Sequence, residues 1–139
     1  SEETIVASRN FGNKIWNAAR FILANQQFNN SAIQQSKHPD DQWILEELKK
    51  TTKSVNADLK RFRFGQAAHT LYDFFWHTFC DKYIEMVKKR RQETQPTLLY
   101  VLETFLKLLH PFMPFITEEI YQRLPKHSKS ITIAPWPKD

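Results

Sequence analysis

The sequence predicts an all-α protein, a helical bundle of about five helices followed by a short extended C-terminal segment. Apolar residues recur every three or four positions along most of the chain, which is the spacing of a buried helix face. Only 2 of the 139 residues are glycine, too few for the many tight turns of a β-sandwich or barrel. Prolines separate the periodic stretches, as expected between helices. A chain of this length is expected to form one domain.

The first helix is predicted from about Ile5 to Asn25. Its buried stripe consists of apolar residues at helical spacing, namely Phe11, Ile15, Ala18, Phe21 and Ile22. The polar residues off that stripe are Arg9, Asn13, Lys14, Asn17 and Arg20. A loop rich in Asn, Gln and Ser is then expected from Gln26 to Pro39.

The second helix is predicted from Asp40, where early carboxylates suit the helix dipole, to about Lys60. The third is predicted from Phe64 to about Arg90, and its wide apolar face indicates a central position. A break is expected before Pro96, which would open the fourth helix.

The fourth helix is expected to stop before Pro111, and Pro114 would open a short fifth helix. Its predicted inner face consists of Phe115, Ile116, Ile120 and Leu124. The alternating residues from Ser130 to Ile133 predict a short extended segment.

The charge and the cysteine usage restrict the class of protein. A net charge of +5 and a pI near 9.4 favour a polyanionic partner, although many proteins without one are mildly basic. No apolar stretch is long enough to span a membrane, and the acidic start Ser1-Glu2-Glu3 is unlike a signal peptide. We therefore expect a cytoplasmic protein with no membrane partner. A single Cys80 fits a reducing compartment.

Two clusters could carry chemistry. His77, Cys80 and Asp81 have the spacing of metal ligands on a helix, but a closed site needs a fourth ligand and no second cluster follows. We expect no metal site and no catalytic residues in the chain. The basic run Lys88-Lys89-Arg90-Arg91 suits a helix C-terminus, and a phosphate contact is the alternative.

The polar face of the first helix is the candidate binding surface. Its cations and carboxamides can contact phosphates and base edges, and a solvated helix face would show the same pattern. Trp16 lies among these polar residues and Phe28 lies in the polar loop. Either ring could stack on an unpaired base, or pack where the helix meets its loop.

Four segments resemble the anticodon-binding domain of valyl-tRNA synthetases. They are RNFGNKIWNAARF from Arg9 to Phe21, FCD from Phe79 to Asp81, HPFMPFITEEIY from His110 to Tyr121, and IAPWP from Ile133 to Pro137. Their order and spacing cover nearly the whole chain. One departure is Lys82, where the family usually has tryptophan, which would alter local packing or surface charge.

The resemblance implies a helical bundle that class I synthetases place after their catalytic domain. Residues 1–139 would be a single anticodon-binding domain, with the catalytic, editing and C-terminal coiled-coil regions outside it. The HIGH and KMSKS signatures are absent from these residues. No cofactor is expected in this chain, whereas the longer enzyme joins valine to its tRNA with ATP and Mg²⁺.

The implied partners are the anticodon stem-loop of valine tRNA and the catalytic domain of the same polypeptide, and DNA is not expected. The resemblance places RNA contacts around the first helix, and from residue types the predicted contacts are Arg9, Asn13, Lys14, Trp16, Asn17, Arg20 and Phe28. Two alternatives remain at this point. The chain could be the sister domain of an isoleucyl or leucyl enzyme, or a basic helical module that binds an acidic protein.

Overall fold

The computed structural model describes residues 9–24 and 36–139, and these ranges form a helical bundle. Helix α1 is Arg9–Ala24 and helix α2 is Pro39–Lys60. Both pack against the central pair, which consists of a long composite helix that begins at Phe64 and helix α4, Arg91–Leu109. Helix α5, Pro114–Tyr121, packs on α4 and on α1. The all-α prediction is confirmed.

Local signals account for the start of α2, and its apolar spacing accounts for the face that it buries. The His38 ring nitrogen Nδ1 accepts a hydrogen bond from the Asp40 N–H at 3.1 Å, and Pro39 opens the first turn. Ile44, Leu48 and Val55 are buried, and Thr51 and Thr52 fill the gap between them. Leu59, four positions after Val55 and on the same face by helical spacing, is only partly buried.

The composite helix departs from a uniform α-helix. Helix α3 is Phe64–Asp73, and a π-helix continues it over Phe74–Ile84. One α-helical turn, Glu85–Val87, and a 3₁₀ turn, Lys88–Arg90, follow. Because π-helical hydrogen bonds join residues five apart, each turn is wider and side chains four apart come closer to one line. Phe75, Phe79 and Tyr83 have this spacing, and successive rings lie 5.4 and 6.0 Å apart.

The predicted break before Pro96 is wrong. Helix α4 begins at Arg91 and contains Pro96, and the break lies in the 3₁₀ turn instead. Thr94 is fully buried and its hydroxyl donates to Asp41 at 2.7 Å, which holds this stretch in the bundle. Because Pro96 has no N–H, the Gln92 carbonyl lacks its helical donor. Gln92 is exposed, so water can bond to that carbonyl instead.

The predicted inner position of Phe115 is also wrong, because its side chain is 89% exposed. The face that α5 buries is set by Thr117, Ile120 and Tyr121, and Leu124 continues it. Phe115 precedes Thr117 by two positions, so it lies on the opposite side of the helix. Apolar character alone was a poor guide on so short a helix.

The extended segment predicted from Ser130 to Ile133 is instead a 3₁₀ turn, Ile131–Ile133, with extended backbone at Ser130 and Ala134. The Ser130 hydroxyl caps the turn by accepting from the Thr132 N–H at 3.1 Å. The Glu118 carboxylate then ties this segment to α5, because it accepts from the Ser130 hydroxyl at 2.5 Å and the Ile131 N–H at 2.8 Å. These bonds lower the pKa of Glu118, led by the Ser130 hydroxyl.

A polar cluster is buried where α2, the π-helix and α4 meet. Asp41 is fully buried and accepts from the Tyr83 hydroxyl at 2.6 Å and from the Thr94 hydroxyl. The Arg90 guanidinium donates to its second oxygen at 3.2 Å. Burial tends to raise the pKa of Asp41, but hydrogen bonds from Ser36, Tyr83 and Thr94, with the Arg90 charge, bring it below its ordinary value.

None of the helices in the described ranges is both long and apolar enough to cross a membrane.

Candidate nucleic-acid interface

Helix α1 presents one polar face to solvent because its other face is used for the core. Phe11 packs at 5.0 Å from Tyr72, between ring centres, and Ile15 and Ile22 are fully buried. On the other side of the helix the exposed residues include Arg9, Asn13, Asn17 and Arg20. Their spacing of three or four places them along one stripe. The structure therefore brings four of the predicted contact residues together as an accessible row.

Arg20 and Asn17 act as a pair. The Arg20 guanidinium donates to the Asn17 side-chain oxygen at 2.5 Å. This bond fixes the orientation of the carboxamide, so its NH₂ group remains available as a donor. The remaining guanidinium N–H groups are also available on an exposed side chain. The pair presents mainly donors, which suit phosphate oxygens and base acceptors.

Lys14 lies at the edge of this face and is already engaged. Its Nζ atom is 3.4 Å from Asp81 of the π-helix, and 4.9 Å from the centre of the Trp76 ring. The Lys14 side chain is 29% exposed, against 49% for Asp81. An ion pair this open to water is weak, so Lys14 can exchange Asp81 for another anion.

Trp16 is less available than its polar neighbours suggested. It is half-buried against the core, and the Arg123 guanidinium lies over its ring at 4.9 Å from the centre. A base could stack on Trp16 from that side only if Arg123 moved. Phe28, the other predicted stacking residue, lies outside the described residues.

The basic run at the end of the composite helix is mostly tied into the fold. Arg90 bonds to Asp41 and Glu93, and Lys88 bonds to Glu85 at 2.8 Å. Arg91 lies over the ring of Phe21, 3.8 Å from its centre, and donates to the Phe21 carbonyl. Both arginines thus join α4 to neighbouring helices, a use that the linear sequence did not indicate.

Phe21 is a surface feature that the sequence prediction missed by assigning it to the buried stripe. It is only partly buried, next to Arg20: it packs against the core, and the Arg91 guanidinium lies over its ring. A partly buried aromatic residue at the end of the polar face can contribute to contacts with a base. The signal available in the sequence was its position four residues after Asn17, which places it beside the polar row.

The cluster of His77, Cys80 and Asp81 does not assemble into a reactive site. His77 Nδ1 lies 3.4 Å from Asp81, while the Cys80 side chain is buried in the core. Burial raises the pKa of the Cys80 thiol to about 12, so it remains protonated at neutral pH. Within residues 9–24 and 36–139, no group of three or more His, Cys, Asp or Glu side chains is arranged to hold a metal ion.

A helical bundle with a basic, carboxamide-bearing helix face is a class of fold suited to reading RNA. The sequence model of the family described as the anticodon-binding domain of tRNA ligase matches residues 41–139. The chain belongs to this family.

Similar proteins are named valine–tRNA ligase. The chain is 44% identical to the protein of Geobacillus kaustophilus over 99% of its own length. It is 47% identical to that of Carboxydothermus hydrogenoformans over 98%, and 43% identical to that of Listeria monocytogenes over 99%. It spans only 16–17% of the length of these relatives.

Proposed function

We propose that this chain is the anticodon-binding domain of a valine–tRNA ligase and that α1 contacts the anticodon loop of valine tRNA. The observation that carries the proposal is the exposed row of Arg9, Asn13, Asn17 and Arg20 on a helix whose opposite face is core. The names of the similar proteins support valine over isoleucine or leucine as the amino acid. Family membership supports an RNA partner over an acidic protein.

Recognition would proceed by binding, without chemistry in this domain. Arg9 and Arg20 would hold phosphates, while Asn13 and the oriented Asn17 carboxamide would meet base edges. Lys14 would add a further phosphate contact after leaving Asp81. Trp16 and Phe28 are the proposed stacking residues, with Trp16 requiring displacement of Arg123. Discrimination from one lost bidentate base contact is about 1–3 kcal/mol in the analogous DNA case.

The aminoacylation reaction belongs to the longer protein in this proposal. ATP and Mg²⁺ would act in a catalytic domain of the same polypeptide, and residues 1–139 would form one separate domain. The side chains of the described ranges do not fit a magnesium site, because no acidic or histidine cluster is suitably arranged there. Glycine occurs only at positions 12 and 65, which does not allow a glycine-rich phosphate loop.

A titration with RNA stem-loops tests the proposal. The domain is titrated with the valine-tRNA anticodon stem-loop, with the same loop altered at its middle anticodon base, and with an isoleucine-tRNA loop. We expect a preference for the valine loop that persists from low to near-physiological salt, because base contacts depend less on salt than phosphate contacts do. Equal binding of all loops that fades with salt would contradict anticodon reading by this domain.

Variants of α1 locate the site. Asn17→Ala and Arg20→Ala should each weaken binding of the valine loop by about 1–3 kcal/mol with unchanged helicity, since both side chains are exposed. Lys49→Ala is the matched control, an exposed cation on α2. If both α1 variants bind like the parent, the site does not lie on α1.

A further inference from the structure

The turn between α2 and α3 closes α2 with a Schellman motif. The Arg63 N–H donates to the Asp58 carbonyl at 2.8 Å, and the Phe62 N–H donates to the Leu59 carbonyl at 3.1 Å. This motif requires a left-handed residue at the position of Phe62, and the φ angle of Phe62 is 59°. Glycine usually occupies the position because it has no Cβ atom to clash. Among the described non-glycine residues, Phe62 alone has a positive φ.

Burial does not compensate Phe62 for this conformation. Its side chain is 78% exposed, and its ring makes an edge-to-face contact with Phe64, which is itself 47% exposed, at 6.1 Å between ring centres. A bulky residue is therefore held in solvent at a position that favours glycine, against a conformational cost. Backbone strain of this kind is concentrated at binding sites.

Cations flank Phe62 and Phe64 in the sequence. Lys60, Arg61 and Arg63 are exposed, and no ion pair between described side chains includes any of them. The carboxyl of Asp139 lies nearby: its pKa is lowered chiefly by the hydrogen bond from Asn56 and to a smaller extent by Lys60. Both arginines remain available to an outside anion.

We propose that this corner, Arg61-Phe62-Arg63-Phe64, is a second RNA contact of the domain. The Phe62 ring, supported by the edge of Phe64, would stack on an unpaired base, and the two arginines would hold the adjoining phosphates. Aromatic rings set among cations are the common means of binding single-stranded RNA. This site goes beyond the proposed anticodon face, because it follows α2, whereas that face lies on α1.

The charges favour RNA over a protein surface as the occupant. An apolar protein patch would cover the phenyl rings but leave Arg61 and Arg63 facing it without anions, which costs desolvation free energy. A chain of bases and phosphates satisfies both groups at once, because stacking surface and negative charge alternate along it.

The variant Phe62→Gly separates folding from binding. It relieves the left-handed strain, so we expect a melting temperature about 2–4 °C higher than that of the parent. Binding to a labelled oligouridine of about 12 nucleotides should weaken by about 5- to 100-fold through the loss of stacking. Tyr100→Ala is the matched control: it removes a half-exposed ring from α4 and should leave binding unchanged.

Arg63→Gln tests the phosphate contact independently. It should reduce the slope of log affinity against log salt by about 0.7 for one lost contact with a single strand. Lys49→Gln, an exposed cation elsewhere on α2, should change the slope less. The proposal is overturned if Phe62→Gly binds the oligouridine like the parent, whatever its stability. The alternative occupant of the corner would then be a protein.

The α1 variants keep the two proposals distinguishable. Asn17→Ala and Arg20→Ala should lower the affinity for the valine stem-loop, and Phe62→Gly should lower the affinity for oligouridine. If only the α1 variants bind like the parent, the anticodon face is contradicted and the corner site stands. If only Phe62→Gly binds like the parent, the corner site is contradicted and the anticodon face stands.

Discussion

Two groups of arginines in this protein have opposite surroundings. Arg90 and Arg91 belong to the densest basic run in the sequence, yet one is bonded to buried Asp41 and the other covers Phe21. Arg9 and Arg20 are scattered along α1, yet both are exposed on one face. Charge density in the sequence is therefore a poor measure of the charge that is available to a partner.

The largest expected effect comes from removing a tied arginine. Arg90→Ala should lower the free energy of unfolding by about 2–4 kcal/mol, because it leaves the fully buried Asp41 carboxylate without its countercharge. Arg20→Ala removes the same group from an exposed position and should change stability by less than about 0.5 kcal/mol. Urea denaturation of both variants measures the contrast. Equal losses would show that the two groups of arginines are not distinct.

Acid should reveal the same buried cluster. The pKa of Asp41 is lower in the folded protein, so its contribution to stability is present above the unfolded pKa and is lost as pH falls through the folded one. We expect the parent to lose stability steeply below about pH 4. Asp41→Asn should be less stable at neutral pH and show a shallower acid loss in thermal melts across this range. An unchanged acid slope would assign the loss to other carboxylates.

Lys14 lies between these two extremes, because it is partly exposed yet paired with Asp81. Removing its partner has the smallest expected effect. Asp81→Asn removes the partner of Lys14 and a negative charge beside the α1 face. Affinity for the valine stem-loop should rise by about twofold, with a stability change below about 1 kcal/mol, because exposed ion pairs are weak. Glu85→Gln is the control, since it releases Lys88 from a similar exposed pair away from α1. A weaker binding of the loop by Asp81→Asn would mean that Asp81 positions Lys14 productively.

The predictions from sequence succeeded where the signals were local. Helix α2 was predicted from Asp40 to Lys60 and spans Pro39–Lys60, because an early proline and carboxylates mark its start. They failed where packing outweighed a local rule. Pro96 lies inside α4 because buried Thr94 is bonded to Asp41, and Phe115 is exposed because neighbouring residues set the inner face of α5. The π-helix also escaped prediction, since its apolar spacing resembles that of an α-helix.

The candidate site shows the same division. The polar stripe of α1 could be predicted because it needs only helical periodicity and a buried opposite face. The partners of its side chains could not, since Asp81, Trp76 and Arg123 are distant in sequence from the residues they contact. Nor did any local pattern indicate that Phe62 would be held in a left-handed conformation.

Periodicity and motifs were enough to predict the all-α class, the family and the exposed row of Arg9, Asn13, Asn17 and Arg20 on α1. They were not enough for Trp16 and Phe21, which are partly buried. Tertiary packing sets which cations are free, where the composite helix changes from α-helix to π-helix, and which aromatic rings are exposed. Ion pairs, cation–π contacts and burial depend on residues that packing brings together from separate helices, so the linear sequence does not show them. These contacts contribute free energy only once the helices have packed against one another.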